Sequence, residues 1–307
     1  MALAVGSGGF NDSHARPQFA RIVRLPRGSM AQLRVSAISF LNTAPLMWDF
    51  AHGNVGTGFD VHYTLPAQCA EELRQGSADI GIIPVFTYAL IPNLVLIPDI
   101  AIATKGVVRS ILLISKVPVE QIKSVALDTS SRTSVNLTRV LFSKFWDGER
   151  SFISHPPDLD QMLAKCDAGL LIGDPALRAK TAGYHVYDLA TEWKKFTGKP
   201  FVFAVWAIRM AALTGNDHAT KVVEIFQRSR DNGLKPEHVD ELAREWSPKI
   251  GISERDVHEY LTHNIDYHLD AENLEGLALF FQYCEELKLI EKAPELRFLP
   301  AHNWFSK

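Results

Sequence analysis

Four short clusters carry residue types that can do chemistry, and each lies where a strand-like run meets a loop or helix. The first is Ser39-Phe40-Leu41-Asn42-Thr43-Ala44-Pro45-Leu46. Asn42 leaves the first strand and can either point its amide at a ligand or close an Asx-turn or helix cap. The second is Arg109-Ser110, opening the apolar run to Ser115. Its guanidinium suits bidentate pairing with a carboxylate, or simple exposure beside a strand-edge serine. The third, Asp128-Thr129-Ser130-Ser131-Arg132-Thr133-Ser134-Val135, follows the strand VALD at a helix start. Free N–H groups and the helix dipole attract an anion there. One cap needs only one hydroxyl, so the supply in Ser131, Thr133 and Ser134 favours an anion site over capping alone. The fourth, Leu170 to Leu177, contains Gly173-Asp174-Pro175. It reads as an Asp cap with Pro in the first turn, or as a glycine that lets a flat ligand approach the backbone.

Stronger motifs are missing. No Walker A sequence and no G-x-S-x-G elbow occurs. Gly6-Ser7-Gly8-Gly9 follows no strand, which argues against a nucleotide loop. His258, His263 and His268 are spaced by five, which does not put two ligands on one helical face, so they read as solvated histidines. The clusters together describe a carboxylate-binding cleft with apolar walls. No acid/base dyad or nucleophile stands out, so this reading leaves enzyme and binding protein both open.

The elements that must position these clusters alternate. Strands are expected at 33–40, 59–65, 79–83, 94–97, 100–103, 109–115, 124–127, 168–172, 186–189 and 201–208. Helices are expected over 66–75, 131–146 and 158–164, with a helical turn at 118–121. Thr43 is expected to cap a helix that Gly53 stops. From Asn216 the pattern turns helical, over 216–232, 236–246, 253–264 and 270–289. Alternation argues for α/β architecture with mostly parallel sheets, and ligands sit at the carboxyl ends of strands in such folds. Residues 1–30, rich in Gly, Ser, Arg and Pro, read as a loose extension, and Met30 stands directly before the first strand as a possible start of translation. They contain no apolar core of a secretory signal.

Composition narrows the class. The chain has 307 residues, enough for one large domain or two modest ones, and 47% are hydrophobic, enough for a sizeable core. A net charge of −3 does not by itself recruit nucleic acid or an anionic membrane. Cys69, Cys166 and Cys284 are far apart and read as reduced thiols of a cytoplasmic protein.

Five motifs in order give a more specific reading: SFLNTAPL (39–46), GVVRSILLISK (106–116), VALDTSSRTSVNLTRVL (125–141), LLIGDPAL (170–177) and YDLATEWKKFTGKPFVFAVWAIR (187–209). The chain resembles the chorismate dehydratases of the futalosine route to menaquinone, well over about 31–209 and more weakly beyond. The resemblance implies a two-lobed, type II periplasmic-binding-protein-like fold with a ligand cleft between the lobes. Lobe 1 would comprise 31–108 plus 207–307 and lobe 2 the inserted 109–206, with crossings near Arg109 and Ala207. It implies conversion of chorismate to 3-[(1-carboxyvinyl)oxy]benzoate and water, without metal or organic cofactor, by a monomer or homodimer. By family position Asn42 and Ser110 belong at the reacting centre, with Arg109, Ser131, Thr133, Ser134, Gly173 and Asp174 binding substrate. The base would be the substrate's own enolpyruvyl carboxylate, with Asp174 as the fallback. The rivals are the 1,4-dihydroxy-6-naphthoate synthase of the same route, which NTAPL and FVFAVWA disfavour, and a non-catalytic carboxylate-binding protein.

Overall fold

The computed structural model describes residues 20–22, 32–53, 55, 58–213 and 216–300. Its strands are β1 (Ala20–Ile22), β2 (Leu33–Ile38), β3 (Phe59–Thr64), β4 (Ile80–Pro84), β5 (Leu94–Thr104), β6 (Ile111–Ser115), β7 (Ser124–Asp128), β8 (Ser151–His155), β9 (Ala168–Ile172), β10 (His185–Asp188), β11 (Phe201–Arg209) and β12 (Leu296–Phe298). Its helices are α1 (Trp48–Ala51), α2 (Pro66–Gln75), α3 (Val85–Tyr88), α4 (Thr133–Lys144), α5 (Leu159–Lys165), α6 (Gly173–Leu177), α7 (Leu189–Thr197), α8 (Asn216–Gly233), α9 (Pro236–Ile250), α10 (Glu254–Glu259) and α11 (Ala271–Glu286).

Two sheets form. One has seven strands in the order β1-β12-β5-β11-β4-β2-β3, the other five in the order β10-β6-β9-β7-β8. The apolar runs of β4, β7, β9 and β11 make the interior strands, buried on both faces by flanking helices. The alternating runs of β3 and β8 make edges. Helix α2 packs on β2 and β4, and α8 on β5 and the turn at Pro45–Met47. Helix α11 lies against β11 and α4, so the helical C-terminal part packs back on the first sheet. Where α8 ends, a Cβ on Gly233 would stand 2.0 Å from the Pro45 carbonyl oxygen, so only glycine fits that crossing.

Several expectations need correction. The sheets are mixed: β11 runs antiparallel to β4 and β5, and β6 antiparallel to β9 and β10. These strands adjoin the two connections between the sheets, so the chain enters each sheet from the opposite end. All of β11, from Phe201, pairs in the seven-stranded sheet, so the return crossing lies before it and not at Ala207. The extension is not wholly loose, because Ala20–Ile22 pairs in parallel with Leu296–Phe298. Gly6 to Gly9 and Met30 lie outside the described residues. The helix expected from Thr43 breaks into two 3₁₀ turns, Leu41–Thr43 and Pro45–Met47, before α1, and Thr43 caps nothing. Strands β8 and β12 were not expected. Among the described residues no helix is long and apolar enough to cross a membrane.

Candidate active site

The functional clusters follow the carboxyl ends of parallel strands in both sheets: Asn42 after β2, Ser131 to Ser134 after β7, Gly173 after β9. The sheets present these ends to each other and enclose a small cavity of about 50 Å³. Asn42, Ser131, Thr133, Ser134 and Gly173 line it, among the apolar walls of Ile38, Phe40, Ile102, Ile111, Ile172 and Phe203. No ionisable side chain is among the residues that line it. A larger cavity of about 420 Å³ adjoins it and shares Ile38 and Phe40. Trp48, Trp246, Arg178 and Asp174 are among its walls.

The hydroxyls at the start of α4 divide their work. Ser131 Oγ accepts from the Ser134 N–H at 3.1 Å, which satisfies the cap. Thr133 Oγ1 donates to the Phe203 carbonyl at 3.0 Å and accepts from the Phe86 N–H at 3.3 Å, stitching the two sheets together. Ser134 Oγ has no hydrogen-bond partner among the described residues, and the open N–H groups of the first turn add to it. Ser130 is spent on Asp128, donating from Oγ at 2.6 Å and from N–H at 2.9 Å. Burial raises the Asp128 pKa despite these bonds. The cap reading falls to Ser131, and Ser134 keeps a hydroxyl without a protein partner among the described residues.

Gly173 has φ +61°, and a Cβ there would meet the Phe40 ring at 2.8 Å. The glycine therefore allows the close approach of one lobe's backbone to the other's aromatic wall. Asp174 does not cap α6. It reaches across the cleft and accepts from the Leu41 N–H at 3.1 Å. Burial pushes its carboxyl up to about 6, with the Leu41 bond and the Arg178 charge pulling the other way. It stands in the larger cavity, not the small one.

That raised pKa has a consequence for stability. The unfolded carboxyl titrates near ~3.9. Between about pH 4 and pH 6 the folded state holds the extra proton, so this group lowers stability as pH rises through the window. Asp174→Asn removes the dependence. The variant is expected to gain up to about 2 kcal/mol on the wild type between those pH values, measured by urea unfolding. Parallel stability curves would refute the assignment.

Arg109 has a protein partner. It adopts φ +62°, a costly conformation for a non-glycine residue, and its guanidinium lies 3.3 Å from Asp256 of α10. Its partner is thus a protein carboxylate, and Arg109 lines neither cavity. The strained backbone is held by Asp188, whose carboxylate accepts from the Val108 and Arg109 N–H groups at 3.1 and 2.7 Å. Its other oxygen accepts from the Ala190 and Thr191 N–H groups at the start of α7. One half-buried carboxylate thus ties the outgoing connection to the helix that precedes the return. The sequence marked neither this residue nor its role.

Ser110 is wholly buried beside the cavity, one residue before Ile111 of its wall. Its hydroxyl accepts a hydrogen bond from Tyr260 Oη at 2.8 Å. The Asn42 side chain also faces that tyrosine hydroxyl. Tyr260 begins a π turn, Tyr260–Asn264, directly after α10. Burial raises its pKa, so it stays protonated and donates. The helical pattern placed Tyr260 on an amphipathic helix, but nothing in it pointed 150 positions back to Ser110.

The three spaced histidines go to separate partners: His258 faces Asp240, His263 bonds Thr262 and His268 faces Asp99.

Comparisons with known proteins agree with this architecture. A family model described as menaquinone biosynthesis matches residues 33–286. A chorismate dehydratase of Thermus thermophilus is 30% identical over 241 residues, covering 73% of this chain and 86% of that protein. Among solved structures, a protein of Archaeoglobus fulgidus superposes with a TM-score of 0.64 at 16% identity, covering 84% of this chain and 98% of its own. The periplasmic aliphatic sulphonate binding protein SsuA of Escherichia coli gives 0.61 at 17% identity, covering 90% and 99%. These structures establish the two-lobed, periplasmic-binding-protein-like fold and nothing about the ligand. The family match spans most of the chain and both sheets, and the chain belongs to the menaquinone biosynthesis family.

Proposed function

We propose that this protein is a chorismate dehydratase, a cofactor-independent hydro-lyase that forms 3-[(1-carboxyvinyl)oxy]benzoate and water. One observation carries the mechanistic reading. The small cavity offers hydrogen-bond donors on apolar walls and no ionisable side chain, which suits a reaction whose base comes with the substrate. The Thermus thermophilus relative supports the choice of reaction.

Loss of water needs the C3 proton and the C4 hydroxyl of the ring to leave. The C3–H electron pair flows through the neighbouring double bond into the ring carboxylate. Donors from Ser134 and the first turn of α4, set by Ser131 and Thr133, stabilise the dienolate that forms. The enolpyruvyl carboxylate takes the proton. The pair then returns to close the aromatic ring as the C4–O bond breaks, and the departing hydroxide takes up that proton as water. Asn42 and Ser110 orient the substrate and its leaving hydroxyl. Gly173 lets the flat ring approach the backbone. Arg109 is given no part in binding.

An engineered cavity of about 150 Å³ takes up benzene, and the 50 Å³ space is far smaller, so it takes a ring only once the lobes part or Phe40 swings toward the larger cavity. We place the enzyme in the cytoplasm, acting alone as a monomer or homodimer, and its three buried, unpaired cysteines fit a reducing compartment.

The test is product analysis by liquid chromatography and mass spectrometry after incubating metal-stripped protein with chorismate. An aromatic product lighter by one water supports the reading. Unchanged chorismate with folded protein would move the assignment to the naphthoate synthase or to a binding protein. Asp174→Asn is expected to keep turnover within about threefold, since that carboxylate stands outside the small cavity. Total loss of turnover with intact substrate binding would make Asp174 the base and end the substrate-assisted route.

A further inference from the structure

We propose that Tyr260 is a positioning residue of this reaction: by donating to Ser110 Oγ it fills a serine lone pair and turns the serine's own proton toward the substrate. The inference rests on the dehydratase reading above and assigns a role to a residue that reading leaves idle.

The geometry is specific. Tyr260 is wholly buried, and its hydroxyl lies 2.8 Å from Ser110 Oγ. A serine hydroxyl has one proton and two lone pairs. With a phenol donating to it, the serine must send its proton elsewhere. Among the described residues Ser110 Oγ donates no hydrogen bond of its own, its one side-chain bond being the one it accepts from Tyr260. Ser110 thereby keeps a proton that no described protein group takes, one residue before Ile111 in the wall of the small cavity, where a departing hydroxide would need a donor.

The backbone holds the donor in place from two sides. The Ile265 N–H bonds back to the Tyr260 carbonyl at 3.2 Å, the five-residue closure of the π turn. Such wide turns recur at functional sites. One turn earlier, Asp256 of α10 pairs with Arg109, the neighbour of Ser110. Helix α10 and its π turn therefore grip the connection between the sheets at two adjacent residues, one through charge and one through a hydroxyl. Only the hydroxyl contact reaches Ser110, and the Asn42 side chain faces it as well.

The test is a double-mutant cycle read in steady-state kinetics with chorismate. Tyr260→Phe keeps the ring and removes the hydroxyl. It is expected to lower kcat about tenfold, the cost of leaving one donor unoriented, and to leave KM within twofold. Against Ser110→Ala, the same substitution is expected to change kcat by less than twofold, because the serine proton that it orients is gone. Additive losses would mean that Tyr260 serves packing alone and would overturn the inference, as would full kcat in Tyr260→Phe. If that variant fails to fold, 4-fluorophenylalanine at position 260 fills the hydroxyl's place with no proton to donate, and an unchanged kcat there would equally overturn it. Wild-type protein run alongside separates the two claims: no turnover by the wild type defeats the reaction assignment and this role with it, whereas wild-type turnover with additive losses defeats this role only.

Discussion

Ser110→Ala is expected to lower kcat for chorismate dehydration by about 10²–10³, the usual loss when one preorganised donor is removed from a water-poor site. The residue is wholly buried, and its hydroxyl already has one fixed partner in Tyr260. Substitution by alanine removes the donor and leaves the Tyr260 hydroxyl buried without its acceptor. That orphaned group costs about 1–3 kcal/mol of stability. The two effects separate by measurement. Urea unfolding reads the stability loss, and single-turnover product formation on protein shown to be folded reads the catalytic loss. Asn42→Ala, at the wall of the small cavity, is expected to act in the same direction with a smaller stability cost, because Asn42 is only half-buried. A folded Ser110→Ala protein turning over within threefold of wild type would remove Ser110 from the reacting centre.

The sequence made the scaffold legible wherever burial was complete. Runs such as Ile80–Pro84 and Ala168–Ile172 are apolar throughout because helices cover both faces, and their positions follow from composition alone. Strand β8, with the sequence SFISH, escaped notice because an edge strand keeps exposed residues, and β12 because three residues carry no periodicity. Strand direction was also hidden. A run such as FVFAVWAI looks the same in a parallel and an antiparallel neighbourhood. Direction depends on which end of the sheet the connection enters.

At the site, the local signals said what each side chain can bond and left its partner open. The start of α4 offered several hydroxyls, and the fold spends Ser131 on capping and Thr133 on a cross-sheet bond while leaving Ser134 open. Arg109 has the chemistry of a carboxylate ligand, but its partner is Asp256, 147 residues away. Tyr260 and Asp188 likewise make their bonds to Ser110 and Arg109 across long sequence distances. A residue's type and local spacing say what it can bond, whereas long-range packing decides which bond it makes.

Gly173→Ala is expected to be the most damaging single methyl in the cleft. At φ +61° an alanine pays about 1 kcal/mol or more for the left-handed conformation alone. Its Cβ would also stand 2.8 Å from Phe40 Cε2, closer than carbon atoms approach, so the ring must move. Phe40 is the wall shared by both cavities, and displacing it reshapes the space the substrate ring must enter. The Gly173 N–H also donates to the Ser110 carbonyl at 2.8 Å, so backbone strain at 173 passes directly to the serine. A total loss of about 2 kcal/mol or more is expected in urea unfolding, with kcat falling as well. Phe40→Ala tests the division of that cost. In the double variant the steric part is relieved and the backbone part is not, so the two substitutions should couple by about 1 kcal/mol. Simple additivity would mean that the ring yields without cost and that the glycine is required for its backbone angle alone. Coupling would mean that Gly173 and Phe40 together set how closely the two lobes approach, and with it the position of Ser110 against the substrate.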